Sequence, residues 1–231
     1  MNDEELPLVI EVGGELDAVP ALLLRPDDPT ATLVVAHGAG AGKEHPFLAG
    51  FCRALAGHGV ATLRFDFPYR AAGRRFPDRP PVAIAVWRAV MDAARAGAAD
   101  GEPVWASGKS FGGRMASMAV AEGMDVAGLV FLGYPLHPPG RPEKSRDEHF
   151  PQLAGVPMLF LQGRKDPFAI PNEQLDRLVA GLAPSAVLEW IDGANHSFEI
   201  AGAKRPAVEI GAGLAPGVAD FLAARGAQTA V

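Results

Sequence analysis

The sequence contains one cysteine, Cys52, in 231 residues, so no intramolecular disulfide can form. It has no excess of positive charge either: 21 Lys and Arg stand against 27 Asp and Glu, a net charge of −6. That balance offers no electrostatic footprint for DNA, RNA or an anionic membrane. No uninterrupted apolar run approaches the roughly 18 residues of a bilayer span. The start Met1-Asn2-Asp3-Glu4-Glu5 is acidic, and no apolar signal core follows it. Repeats and low-complexity linkers are missing too. These absences predict a cytoplasmic chain without nucleic-acid or membrane partners, and they leave a homodimer open. Cys52, beside Phe51 and Leu55 in a helical pattern, reads as a buried apolar residue rather than a nucleophile.

What the chain does have is alternation. With 48% hydrophobic and 21% charged residues it is ordinary globular material. Short apolar runs at 8–12, 21–24, 32–36, 61–65, 103–106, 128–132, 157–161 and 186–190 predict strands. Longer helical patterns at 46–58, 81–96, 111–121, 172–181 and 207–224 fall among them. Several runs, such as Leu129-Val130-Phe131-Leu132, are continuous rather than alternating, as expected of strands covered on both faces. The reading is α/β: a mainly parallel sheet of about seven or eight strands in one domain spanning 1–231. Residues 1–6 and 226–231 are expected to be flexible tails. The Pro- and charge-rich stretch from Tyr134 to Pro151 is the one long irregular segment, of a length that is usually functional.

The chemistry is concentrated in three places. Gly108-Lys109-Ser110-Phe111-Gly112 follows an apolar strand and precedes an Ala- and Met-rich helix, the setting of a nucleophile elbow. Such a turn exposes Ser110 at the strand's end, with the helix N-terminus and the Phe111 N–H beneath it as oxyanion donors. Gly-Lys-Ser also ends a phosphate-binding loop, but that motif needs glycine at position 103, which is proline. A hydroxyl needs a base and an orienting acid. Asp166 follows Met158-Leu159-Phe160-Leu161-Gln162-Gly163, and His196 follows Val187-Leu188-Glu189-Trp190-Ile191, so each sits just past a strand. The order Ser, Asp, His fits this type of site. Asp192, in the same loop as His196, reads better as a turn residue. His37 precedes Ser110 and reads as a residue holding its own loop.

That loop, His37-Gly38-Ala39-Gly40-Ala41-Gly42, is glycine-rich and follows an apolar strand. It is expected to supply the second oxyanion N–H from Ala39, with Gly40 the alternative, and to let Gly38 and Gly40 approach substrate. Lys109 is expected to point away from the pocket. Tyr134 and Arg141, on the long loop, are expected at the substrate rim, and Lys144 and Arg146 beside them would favour an acidic substrate.

Taken together, HGAGAG, GKSFGG, LFLQGRKDPF and GANHSF resemble the α/β-hydrolase superfamily in its dienelactone-hydrolase-like branch. More narrowly, Arg64-Phe65-Asp66-Phe67-Pro68-Tyr69 and Gly133-Tyr134-Pro135-Leu136-His137-Pro138-Pro139-Gly140 are similar to a small capless group. That group is related to the hydrolase-like subunit of the non-specific-lethal chromatin complex. The resemblance implies the α/β-hydrolase fold without a cap domain and a Ser110, Asp166, His196 triad. Dienelactone hydrolases use cysteine where this chain has Ser110, which argues against that activity. The N-terminal part also looks short of strands, so a reduced first part of the sheet is expected. The expected reaction is cleavage of a small ester or thioester without a metal or organic cofactor. The competing reading is a catalytically silent binding or scaffold protein on the same fold.

Overall fold

The computed structural model describes residues 4–226. The strands are β1 (Leu6–Ile10), β2 (Val19–Leu24), β3 (Ala31–Ala36), β4 (Val60–Phe65), β5 (Val104–Lys109), β6 (Leu129–Leu132), β7 (Met158–Gly163) and β8 (Ala186–Ile191). The helices are α1 (Pro46–Gly57), α2 (Pro68–Ala71), α3 (Pro80–Gly97), α4 (Phe111–Ala121), α5 (Asn172–Gly181), α6 (Ala207–Ala212) and α7 (Ala215–Gly226). All eight strands join one sheet in the order β1-β2-β4-β3-β5-β6-β7-β8. The pairs β1–β2 and β2–β4 are antiparallel, and the rest are parallel. This is the α/β-hydrolase arrangement. The expectation of a reduced first part is overturned: Val19, Ala21 and Leu24 are buried and seat β2 against β4.

The continuous apolar strands are continuous because both faces are covered. One core layer joins Trp87, Val90 and Met91 of α3 and Met115 and Ala119 of α4 to Val34, Phe65, Ala106 and Phe131. The other joins Phe51 and Leu55 of α1 and Val218 and Leu222 of α7 to Leu33, Val35, Trp105 and Val130. Cys52 lies in that second layer, fully buried and unpaired, as read from its neighbours.

Three expectations need correction. Residues 5 and 6 are not a tail: Leu6 opens β1, and Glu5 takes a 2.6 Å hydrogen bond from the buried Arg64. At the other end Gly226 closes α7, while 1–3 and 227–231 lie outside the described residues. Second, the single helix expected at 207–224 is two, broken at Gly213-Leu214. As one stretch, Ala207–Gly226 is long and apolar enough by composition to cross a bilayer, which a search for unbroken runs overlooks. Here its two halves lie on the protein surface, each burying one face on the second core layer. Third, α2 was not foreseen, because four residues are too few to show a helical period.

The loop after β6 carries no inserted domain among the described residues. It is tied down by the Tyr134 hydroxyl donating to the Arg146 carbonyl and the Arg146 N–H to the Leu136 carbonyl, both at 2.8 Å. A short 3₁₀ turn, Phe150–Leu153, then leads toward β7.

Candidate active site

The turn between β5 and α4 holds Ser110 at φ 51° and ψ −112°, a conformation that costs an L-residue energy. Glycine makes the turn possible. A Cβ on Gly108 would lie 2.3 Å from the Gly113 nitrogen, and one on Gly112 2.7 Å from the His37 carbonyl oxygen. Because α4 starts at Phe111, its first N–H groups have no intrahelical acceptor.

Asp166 and His196 arrive from the ends of β7 and β8, which lie beyond β6 in the sheet. His196 Nε2 lies 2.9 Å from Ser110 Oγ, and its Nδ1 lies 2.6 Å from Asp166 Oδ2. A carboxylate can only accept, so Nδ1 carries the proton and the Nε2 lone pair faces the serine hydroxyl. Asp166 is wholly buried, and its oxygens also accept from Gln162 Nε2 at 2.7 Å and the Phe168 N–H at 2.9 Å. The Phe168 ring lies against His196, centroids 4.3 Å apart. The histidine loop is folded by Asn195, whose Oδ1 accepts from the Ser197 and Glu199 N–H groups at 2.8 and 3.0 Å. The rival acid is elsewhere: Asp192 is exposed and pairs with Arg164 at 2.8 Å.

The glycine-rich loop after β3 is oriented peptide by peptide. His37 is fully buried; its Nδ1–H donates to the Gly38 carbonyl at 2.8 Å, and its Nε2 accepts from the Phe67 N–H at 3.2 Å. Burial lowers the pKa of this imidazole and keeps it neutral, as both contacts require. Gly38 O also accepts from the Ala41 N–H at 3.1 Å, so the peptide bearing the Ala39 N–H is fixed at its carbonyl. The next peptide, bearing the Gly40 N–H, is fixed by the Tyr69 hydroxyl, which donates to Ala39 O at 2.9 Å. Asp66 then accepts from the Lys43 N–H at 2.7 Å and closes the loop. A Cβ on Gly38 would lie 3.8 Å from Ser110 Cβ, so the loop abuts the elbow.

Ser110 and His196 open into a cavity of about 480 Å³, the size of a small-molecule site. Gly38, Ala39, Gly40 and Ala41 form one side; Phe47 and Leu48 of α1, Ala207 and Ile210 of α6, and Phe168 give it apolar walls. The α1–α6 wall is tightly locked, because a Cβ on Gly50 would lie 2.0 Å from the Val208 carbonyl oxygen and one on Gly211 1.9 Å from that of Phe47.

Two expected substrate residues are not there. Tyr134 is buried among Phe131, Phe150 and Phe160, its hydroxyl spent on Arg146, because the chain turns inward directly after β6. Arg141 is exposed on the loop and does not line the cavity, and the same holds for Lys144. Arg146 is half-buried, its guanidinium directed at the Pro135 carbonyl. Lys109, expected to point away, lines the cavity and donates to the His196 carbonyl at 2.5 Å. Gln162 and Tyr69 were also missed, and His45, expected as a surface or loop residue, is exposed yet lines the cavity. A polar residue at the end of the apolar strand Met158-Leu159-Phe160-Leu161 was the available signal for Gln162; His45, at the start of α1, gave none.

A central sheet with this strand order, a strained serine at a strand–helix turn, and an acid and a histidine after later strands together define an α/β hydrolase architecture. Residues 29–207 match the family model described as "Alpha/beta hydrolase domain", and the chain belongs to that family. Among solved structures it is similar to a dienelactone hydrolase from Anabaena variabilis, with 22% identity over 96% of this chain and 97% of that one, TM-score 0.72. A lidless α/β serine hydrolase from Xanthomonas campestris matches at 20% identity over 96% of each chain, TM-score 0.71. Est1E from Butyrivibrio proteoclasticus matches at 18% identity over 95% of this chain and 98% of that one, TM-score 0.68. At such identities these likenesses speak for the fold.

Proposed function

We propose that this α/β hydrolase is a serine esterase or thioesterase acting on small soluble substrates through an acyl-enzyme. The observation that carries the reading is the unbroken relay from Asp166 through His196 to Ser110 at 2.6 and 2.9 Å, ending in an open cavity. In the first step Ser110 Oγ bonds to the carbonyl carbon while its proton passes to His196 Nε2. The Phe111 and Ala39 N–H groups take the charge on the carbonyl oxygen, a contribution of roughly 3–4 kcal/mol per donor. The tetrahedral centre collapses, the bond to the leaving oxygen or sulfur breaks, and His196 gives that atom its proton. Water repeats the sequence, losing its proton to His196 as its oxygen bonds to the acyl carbon. The acid is then released and Ser110 restored. Every proton is accounted for by His196, so no metal or organic cofactor is needed.

The apolar walls from Phe47, Leu48, Ala207 and Ile210 suit an acyl chain, and the cavity's size suits a short one. With no domain inserted over it, the site is accessible without a lipid surface. The narrower likeness to the capless group is part of this proposal; its Arg64–Tyr69 segment supplies Asp66 and Tyr69, which hold the oxyanion loop. The test is labelling by a fluorophosphonate probe, then hydrolysis of p-nitrophenyl esters of rising chain length. Labelling at Ser110 and a preference for short chains are expected. An unlabelled, inactive protein would leave the scaffold reading in its place.

A further inference from the structure

Lys109 is the last residue of β5 and the neighbour of Ser110, yet its side chain turns toward the histidine loop. Its Nζ donates to the main-chain carbonyl of His196 at 2.5 Å and lies 5.3 Å from the centre of the Phe198 ring. Phe198 itself is held at φ 63°, a left-handed conformation unfavourable for a bulky residue, and stacks on Phe47 with centroids 5.8 Å apart. Space for the ammonium exists because residue 133 is glycine: a Cβ there would lie 3.2 Å from Nζ and 3.6 Å from His196 Nδ1. No carboxylate forms an ion pair with Lys109 among the described residues. A half-buried ammonium bonded to one carbonyl and facing one ring is costly unless those contacts serve a purpose.

Resting on the hydrolase reading above, we propose that Lys109 is a positioning residue whose ammonium pins the main chain of His196, so that Nε2 stays in line with Ser110. His196 is then held at three points: the Asp166 carboxylate at Nδ1, the Ser110 hydroxyl at Nε2, and the Lys109 ammonium at its carbonyl. Two of the three come from consecutive residues, so the elbow that presents the nucleophile also sets the base. The contact at Phe198 holds the strained turn that follows the histidine.

The charge gives this role a signature. Burial lowers the Lys109 pKa to about 8, opposed by the Asp166 carboxylate, the one charge acting on it. The other groups around Nζ are Gly133, the Phe198 ring, and the carbonyl and imidazole of His196, whose Nδ1 borders the same glycine. Below about pH 8 the ammonium makes a charge-assisted bond; above it a neutral amine makes a weaker one.

The experiment is the pH profile of kcat for a short p-nitrophenyl ester in wild type, Lys109→Met and Lys109→Arg, with thermal melts to establish folding. Wild type is expected to lose activity on the alkaline side with an apparent midpoint near 8. Lys109→Met should lower kcat by roughly 10- to 100-fold with KM little changed, as expected for a base displaced by a fraction of an ångström, and should lack that alkaline limb. Lys109→Arg, which stays charged, should restore part of kcat and also lack the limb. A folded Lys109→Met with wild-type kcat would overturn the proposal, as would a folded Lys109→Arg no more active than Lys109→Met. Ser110→Ala, run alongside, separates the two readings: if it keeps its activity the hydrolase proposal fails, whatever Lys109 does.

Discussion

Among the described residues two serine–histidine pairs have nearly the same length. Ser110 Oγ lies 2.9 Å from His196 Nε2, and Ser117 Oγ, two turns further along α4, lies 2.7 Å from His149 Nε2. Distance alone would favour the second. Proton direction separates them. Asp166 fixes the proton of His196 on Nδ1 and leaves Nε2 free to accept from Ser110. Ser117 gives its own proton to the Arg114 carbonyl at 2.8 Å, so it can only accept from His149, whose Nε2 must carry the hydrogen. Ser117 is also fully buried, out of reach of any substrate, whereas the His196 side chain is 24% exposed. A basic nitrogen near a hydroxyl is therefore not a nucleophile pair until a third group decides which atom holds the proton.

Breaking each pair should have opposite consequences. Ser110→Ala is expected to abolish probe labelling and lower kcat by a factor on the order of 10⁴ or more, leaving only binding and oxyanion effects. Ser117→Ala should keep labelling and kcat within about twofold while losing roughly 1 kcal/mol of stability with its hydrogen bonds. Equal loss of labelling in both would mean that the proton argument misassigns the pair. Removing only the deciding group sharpens the contrast. Asp166→Asn should cost about 10⁴ in kcat with the fold intact, because the amide lets His196 adopt the wrong tautomer. Asp192→Asn, breaking only its exposed pair with Arg164, should be nearly silent. Kinetics of the two purified variants decide it, and greater damage from Asp192→Asn would reverse the assignment of the acid.

The trio of Ser110, Asp166 and His196 was legible because each member is written locally: strand, tight turn, polar side chain, repeated three times along the chain. The strands were legible for the same reason, since an apolar run covered on both faces leaves little doubt about its place. What stayed hidden depends on direction rather than position. Tyr134 was placed correctly just past β6, but nothing in Gly133-Tyr134-Pro135 says that the ring turns into the Phe131, Phe150 and Phe160 cluster. Lys109 was placed correctly beside Ser110 and assigned the wrong side, because the room that Gly133 leaves for it comes from another strand. The break at Gly213-Leu214 was invisible because both halves keep the same apolar character across it. Contacts such as Tyr69 to Ala39, 30 residues apart, have no local trace at all.

That last contact gives a smaller prediction. Tyr69→Phe removes the hydroxyl that holds the Ala39–Gly40 peptide but keeps the ring packed on Phe67 and Phe111. It touches no reacting atom, so its effect should fall well below the loss of an oxyanion donor. About a tenfold drop in kcat with unchanged KM is expected, comparable to one net hydrogen bond. A change confined to KM would place Tyr69 in substrate binding instead.

The second pair yields the smallest effect, and it is one of stability rather than rate. Burial, with the Arg114 charge beside it, lowers the His149 pKa to about 4, against partial opposition from Glu148 and Asp147. The unfolded chain therefore takes up this proton first as pH falls, near 6.5, while the folded protein resists it until about 4. Between those values each step toward acid favours the unfolded state; above 6.5 both states are neutral at this site and stability does not depend on it. His37, also lowered by burial, acts in the same sense. Urea midpoints should then decline from about 6.5 toward 4. His149→Gln, which can still donate to Ser117 but cannot titrate, should lose part of that decline, leaving the share due to His37 and the carboxylates. Parallel curves for wild type and variant would show that His149 is solvated and protonates freely. The fixed proton on its Nε2, and with it the contrast between the two pairs, would then be wrong.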